Sequence, residues 1–154
     1  MPVPSVTKIT KNGVEFTSAV DRANYTIAEL TRAAMKDVGR YITRLCAQEV
    51  RGISKFTRRA RYAPRRYQYW VRKKENDLIL GIENTKFGAE SAWWADQAEL
   101  GTNNQPKRGI LRNAVYNNID TIRQIEAQYL SAIADENAAL SMIDEGEEQG
   151  EADG

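Results

Sequence analysis

Apolar residues recur at Ile27, Leu30, Ala34, Val38, Tyr41 or Ile42, Leu45 and Val50, in steps of three and four. That period lines one face of an α-helix. Arg32, Lys36, Asp37, Arg40 and Arg44 fall off the stripe. Thr26 and Glu29 have the spacing of a capping box, so the helix is predicted to start there. Arg51-Gly52 marks its end, giving a rod of roughly 37 Å. Gly39 inside it is about 1 kcal/mol worse than Ala, and a close helix crossing would explain its presence. The pattern returns at Leu111, Val115, Ile119, Ile122, Ile125 or Glu126, Tyr129 and Ile133, which predicts a second long helix.

Between the rods the period changes. Tyr67-Gln68-Tyr69-Trp70-Val71-Arg72 is aromatic and β-prone, and Leu78-Ile79-Leu80-Gly81-Ile82-Glu83 is a second strand. The polar stretch from Lys73 to Asp77 joins them as a hairpin. Residues 53–66 hold no period and are predicted as loop. Ala92 to Leu100 suits two helical turns closed by Gly101, followed by a loop through Pro106.

The two ends differ from the middle. Residues 1–12, with two prolines, predict an extended arm; Asn12-Gly13 is a turn signal, and Val14, Phe16 and Ser18 alternate as in a short strand. After Met142-Ile143 the chain has too little apolar surface to offset ordering entropy, so disorder is expected. The expected fold is α+β: a long N-terminal helix and a C-terminal helix packed on a small antiparallel sheet, with an extended N-terminal arm and an acidic C-terminal tail. The divisions are an arm and short strand over 1–25, one α+β domain over 26–134 and the acidic tail over 135–154.

Composition removes most chemistry. The 154 residues contain no His and one Cys, Cys46. Ser-His-Asp, Cys-His and His-metal mechanisms are therefore excluded, as is an intrachain disulfide. No phosphate-binding, dinucleotide-binding or calcium-loop pattern occurs, so no cofactor, metal or catalytic residue is expected. The acids near the sheet, Glu83, Asp96 and Glu99, have no motif around them, and Cys46 reads as a small buried hydrophobe. The N-terminus lacks the apolar stretch of a signal peptide, and no window is long and apolar enough to span a membrane.

Charge adds more. The formal net charge is +1, yet Arg51 to Lys74 holds ten basic residues and no acidic one, while no basic residue follows Arg123. The near-neutral total hides a dipolar chain. Within the basic run, Arg58, Arg59, Arg61, Arg65 and Arg66 alternate with Tyr62, Tyr67, Tyr69 and Trp70. Three readings stand. One is contact with an acidic surface of a neighbouring subunit, and a second is a loop that is merely solvated. The third is a small DNA- or RNA-binding protein that uses phosphate contacts and base stacking. Trp93 and Trp94 point about 100° apart on a helix, so one belongs to the core and the other to an interface.

Trp94-Ala95, then Glu99-Leu100-Gly101-Thr102, Pro106 in a polar loop, and Ile110-Leu111-Arg112-Asn113-Ala114 follow each other at close spacing. This succession resembles the Tyr-Ala, Glu-Phe-Gly-Thr and Phe-Leu-Arg-Pro-Ala steps of tail-component proteins of lambdoid siphophages, variously called minor tail, neck or tail-completion proteins. The preceding order of long helix, loop and hairpin is similar too. Tyr62-Ala63-Pro64 keeps the family's Ala-Pro without the Thr-Gly-x-Leu that follows it, and Asn113 stands for its second Pro.

The resemblance implies a non-enzymatic structural protein of the virion, present in host cytoplasm during assembly. It implies a homo-oligomeric ring, a hexamer or dodecamer, that joins the DNA-filled head to the tail as connector, terminator or completion ring. Portal, adaptor or stopper proteins would lie on one side and tail-tube or terminator proteins on the other, with genomic DNA in the channel. The residues nominated for subunit contact are Arg58, Arg59, Arg61, Arg65, Arg66, Tyr69, Trp70, Trp93, Trp94, Glu99 and Arg112. Arg72, Lys73 and Lys74 are candidates for non-specific DNA contact. Glu99 and Arg112 are expected to pair across the turn or across a subunit boundary. The arm and the acidic tail are expected to order only on assembly.

Overall fold

The computed structural model describes residues 3–53, 60–84 and 89–152. The chain is α+β. Its elements are β1 (Thr7–Lys11), β2 (Val14–Ser18), α1 (Val20–Gly52), a 3-10 turn (Ala60–Arg66), β3 (Tyr67–Arg72), β4 (Asp77–Ile82), α2 (Ala89–Leu100), α3 (Ile110–Tyr116), α4 (Ile119–Ser131), a short 3-10 turn (Ala132–Ala134) and α5 (Glu136–Ala152).

α1 is the spine, and its apolar stripe serves two cores. Its C-terminal half, through Val38, Ile42, Cys46 and Val50, packs with Ala63, Tyr67, Ala95, Ala98, Ile110 and Ala114. Its N-terminal half, through Leu30, Ala33 and Ala34, packs with Tyr129, Ala139 and Ile143. β3 and β4 pair antiparallel with Tyr69 opposite Leu80 and Trp70 opposite Ile79. Tyr67, Tyr69 and Val71 turn towards α1, while Gln68, Trp70 and Arg72 turn away, as strand alternation requires.

Four expectations change. α1 begins at Val20, before Thr26. The Thr26 hydroxyl donates to the Arg22 carbonyl (2.9 Å) one turn back, and Glu29 pairs with Arg32. Asp21 in the first turn favours the earlier start electrostatically. Secondly, residues 7–11 pair with 14–18, Ile9 opposite Phe16, so the arm is a hairpin about the Asn12-Gly13 turn. Thirdly, the loop predicted over 53–66 contains the 3-10 turn Ala60–Arg66, with Ala63 buried. Fourthly, the second rod breaks at Asn117-Asn118. There the Asn118 side chain donates to the Ala114 carbonyl (2.8 Å) and accepts the Tyr41 hydroxyl (2.9 Å). Asn competes with the helical backbone in this way, and Tyr41 fixes the break to the spine.

The tail also departs from disorder. Asp135 caps α5 by accepting the Asn137 amide (2.9 Å), Glu136 pairs with Arg22 of α1, and Ala139 and Ile143 are buried. Ala139 and Ile143, one turn apart, with Leu140 and Met142 packed beside them, dock an otherwise acidic helix.

Gly39 is explained by a strand and not by a helix crossing. A Cβ there would stand 2.5 Å from ring carbons of Tyr69. The Tyr69 ring approaches α1 this closely only because position 39 has no side chain.

Candidate assembly interface

α2 places its functional candidates through one simple division. Ser91, Ala92, Ala95 and Ala98 are buried, small enough to let the helix sit close to the Ala60–Arg66 turn. The opposite face carries Trp93, 50% exposed, and Leu100, 73% exposed. These two are seven residues apart and therefore on one helical face. Trp94 packs partly buried against the larger core. The tryptophan pair is thus divided between core and surface.

Gly101 ends α2 with φ +82°, and its N–H donates to the Gln97 carbonyl (2.8 Å). Any side chain there would also meet Lys107 at 2.9 Å. Thr102 and Gln105 close a tight turn, and the Arg108 amide returns to the Ala98 carbonyl (2.8 Å). Glu99 then closes the unit: its Oε2 accepts the Leu111 amide at 2.9 Å and its Oε1 the Arg112 amide at 3.1 Å. These are two of the otherwise unpaired N–H groups in the first turn of α3. The Arg112 guanidinium lies 5.6 Å from the Tyr116 ring centroid instead of on Glu99. The expected Glu99–Arg112 contact exists, but through the backbone.

The basic segment is divided by strand geometry. Arg58 and Arg59 lie outside the described residues. Arg61 sits 5.8 Å over Tyr62, and Arg51, Arg61, Pro64 and Arg65 line a shallow depression without a carboxylate. Arg66 is half-buried. Tyr67 is 2% exposed and offers no free face, and Tyr69 is half-buried, with its ring turned against Gly39. Trp70 remains on the outside, 42% exposed, beside Ile79 and over Gly81. Arg72 pairs with Asp77 where the strands meet the hairpin turn, which holds the Asp77 carboxyl below its ordinary range, and Lys73 and Lys74 extend into solvent.

Cys46 lies fully buried in the larger core. Burial, with Glu99 and Glu49 adding repulsion, pushes its thiol up to about 12, so it is neutral and inert at ordinary pH. Tyr67 is raised for the same leading reason. Among the described residues no cluster of acids and Cys could hold a metal ion, and no helix is long and apolar enough to cross a membrane.

Leu100 and Tyr116 were not singled out from sequence. Leu100 falls outside the Ala92, Ala95, Ala98 spacing, and that signal alone marked it as outward. No family model, curated protein or solved structure matches this chain.

Proposed function

We propose that this chain is a structural subunit of a tailed-phage virion, forming a ring at the head–tail connection or the head-proximal end of the tail. The observation that carries the reading is the α2–α3 turn. The residues that resemble the family's steps are those that build it: Glu99 caps α3, Gly101 supplies the left-handed residue, and Ile110 and Ala114 anchor it in the core. A rigid turn of this kind holds Trp93 and Leu100 outward, as an interface anchor requires.

The charge distribution supports a heterologous contact between copies. Arg51, Arg61 and Arg65 form a basic surface, and the chain after Arg123 carries only acids. Unlike surfaces on one molecule suit head-to-tail contacts that close into a ring. Copy number, as hexamer or dodecamer, and the neighbours (portal, adaptor or stopper, tail-tube or terminator) follow from the resemblance. Lys73 and Lys74 would face DNA in the channel.

The carboxylate-free arginine depression also favours a second reading, a DNA- or RNA-binding module. The inward turn of Tyr67 and Tyr69 weighs against it, because base stacking needs free aromatic faces. A gel-shift titration with duplex and single-stranded DNA at rising salt separates the two. The ring reading expects weak binding and self-association that persists. Tight binding by a monomer, falling steeply with salt, would overturn it.

A further inference from the structure

The hairpin β1–β2 gathers its apolar residues on one face, and among the described residues little lies beneath it. Ile9, Val14 and Phe16 share that face, Ile9 directly opposite Phe16, while Lys8, Thr10, Glu15 and Thr17 form the polar side. Phe16 is 61% exposed and Val14 69%. The two strands contact each other and little else. A two-stranded hairpin is marginal alone in water, and an apolar face left in solvent gives up the free energy of its burial.

A matching surface lies elsewhere on the molecule. Two depressions run end to end along α1 and share Ile133. One is floored by Ala23, Thr26 and Ile27, the other by Leu30, Ala34 and Leu130. Their volumes, about 180 and 190 Å³, lie below the roughly 300 Å³ where small-molecule pockets begin. They suit single apolar side chains. Leu130, at 66% exposed, is as uncovered as Phe16.

We infer that the hairpin of one copy docks its Ile9–Val14–Phe16 face into the α1–α4 groove of a second copy. The proposal rests on the reading of the chain as a self-associating subunit and names the contact that joins its copies. Two observations favour another copy over the hairpin's own chain. Only Ala19 separates β2 from α1, and Ala19 itself lines the end of the groove, so the hairpin has no linker with which to turn back over it. Charge agrees: Lys11 lies on the apolar face of the hairpin, and Glu126 lines the groove.

The test uses two full-length forms with different tags, Phe16→Cys and Leu130→Cys, mixed under mild oxidation at neutral pH. Buried Cys46 stays unreactive there. The expected product is a mixed disulfide between the two tagged chains, well above either form alone. No mixed product, or a link formed only within a chain carrying both substitutions, overturns the proposal. Sedimentation of Phe16→Asp supplies the second readout. Phe16 is exposed in the isolated chain, so the unfolding midpoint should hold while self-association weakens about tenfold or more. A wild type that associates and a Phe16→Asp form that associates equally would overturn the arm and leave the ring reading standing. A wild type that stays monomeric would overturn both.

Discussion

Glu99 meets Arg112 at its backbone amide, 3.1 Å away, and not at its guanidinium. The same carboxylate takes the Leu111 amide, so one acidic side chain at the end of α2 begins α3. An ion pair between two surface side chains would contribute about 0–1 kcal/mol. A charged cap on two amides contributes more, and its effect does not depend on the side chain at 112.

Glu99→Ala should therefore destabilise the fold by about 1–2 kcal/mol, and Arg112→Ala by less than about 1 kcal/mol. Urea unfolding of the two single variants and the double variant checks this. Losses that add identify the backbone cap; strong coupling between positions 99 and 112 would restore the ion pair.

Gly39→Ala sets two effects against each other. Helix propensity favours Ala by about 1 kcal/mol. Overlap with the Tyr69 ring, 2.5 Å from the new Cβ, opposes it by about 1–3 kcal/mol. The net change should be a loss in thermal unfolding. The double variant with Tyr69→Ala should lose less than the sum of the single changes. A stabilised Gly39→Ala would mean that β3 does not lie on α1.

These positions mark how far the sequence could be read. The 3-and-4 stripe from Leu30 to Val50 located the spine, because a long amphipathic period has few competing explanations. β3 and β4 followed from β-prone composition around a polar turn. Other features depended on long-range partners that no local window contains. Thr26 looked like a cap, yet the Arg22–Glu136 pair and the docking of α5 extend α1 beyond it. Asn117-Asn118 sits inside an unbroken apolar stripe, and the break became visible only with Tyr41 bonded to Asn118. Within the candidate site, the division of the tryptophan pair between core and surface and the nearness of Glu99 to Arg112 were legible; which tryptophan faces outward, the capping of α3 by Glu99 and the inward aim of Tyr69 were not.

α5 should contribute measurable stability. Ile143 is 7% exposed against Leu30, Ala33 and Tyr129, so Ile143→Ala should destabilise the chain by roughly 2 kcal/mol or more. A disordered tail would show no change. Differential scanning calorimetry of the variant decides.

Cys46 and Tyr67 make the fold sensitive to alkali. Below pH 9 the thiol is protonated in folded and unfolded chains alike. Above its ordinary value of 9.0 the unfolded chain releases the proton while the folded chain holds it to about 12. Rising pH across that window therefore favours unfolding, and the buried Tyr67 hydroxyl adds to the effect in the same direction. The urea midpoint should fall from pH 9 upwards, less steeply in Cys46→Ala. At neutral pH a thiol reagent should label the protein only after unfolding.

Self-association through outward apolar surfaces is the central claim, and mass measurement of the native full-length chain tests it most directly. Native mass spectrometry at rising concentration, with electron micrographs of the same sample, should give one closed species at an integer multiple of 17.4 kDa and rings with an open centre. Trp93→Asp should shift that species towards monomer. A wild-type chain that remains monomeric at every concentration, with no ring in the images, would contradict the account.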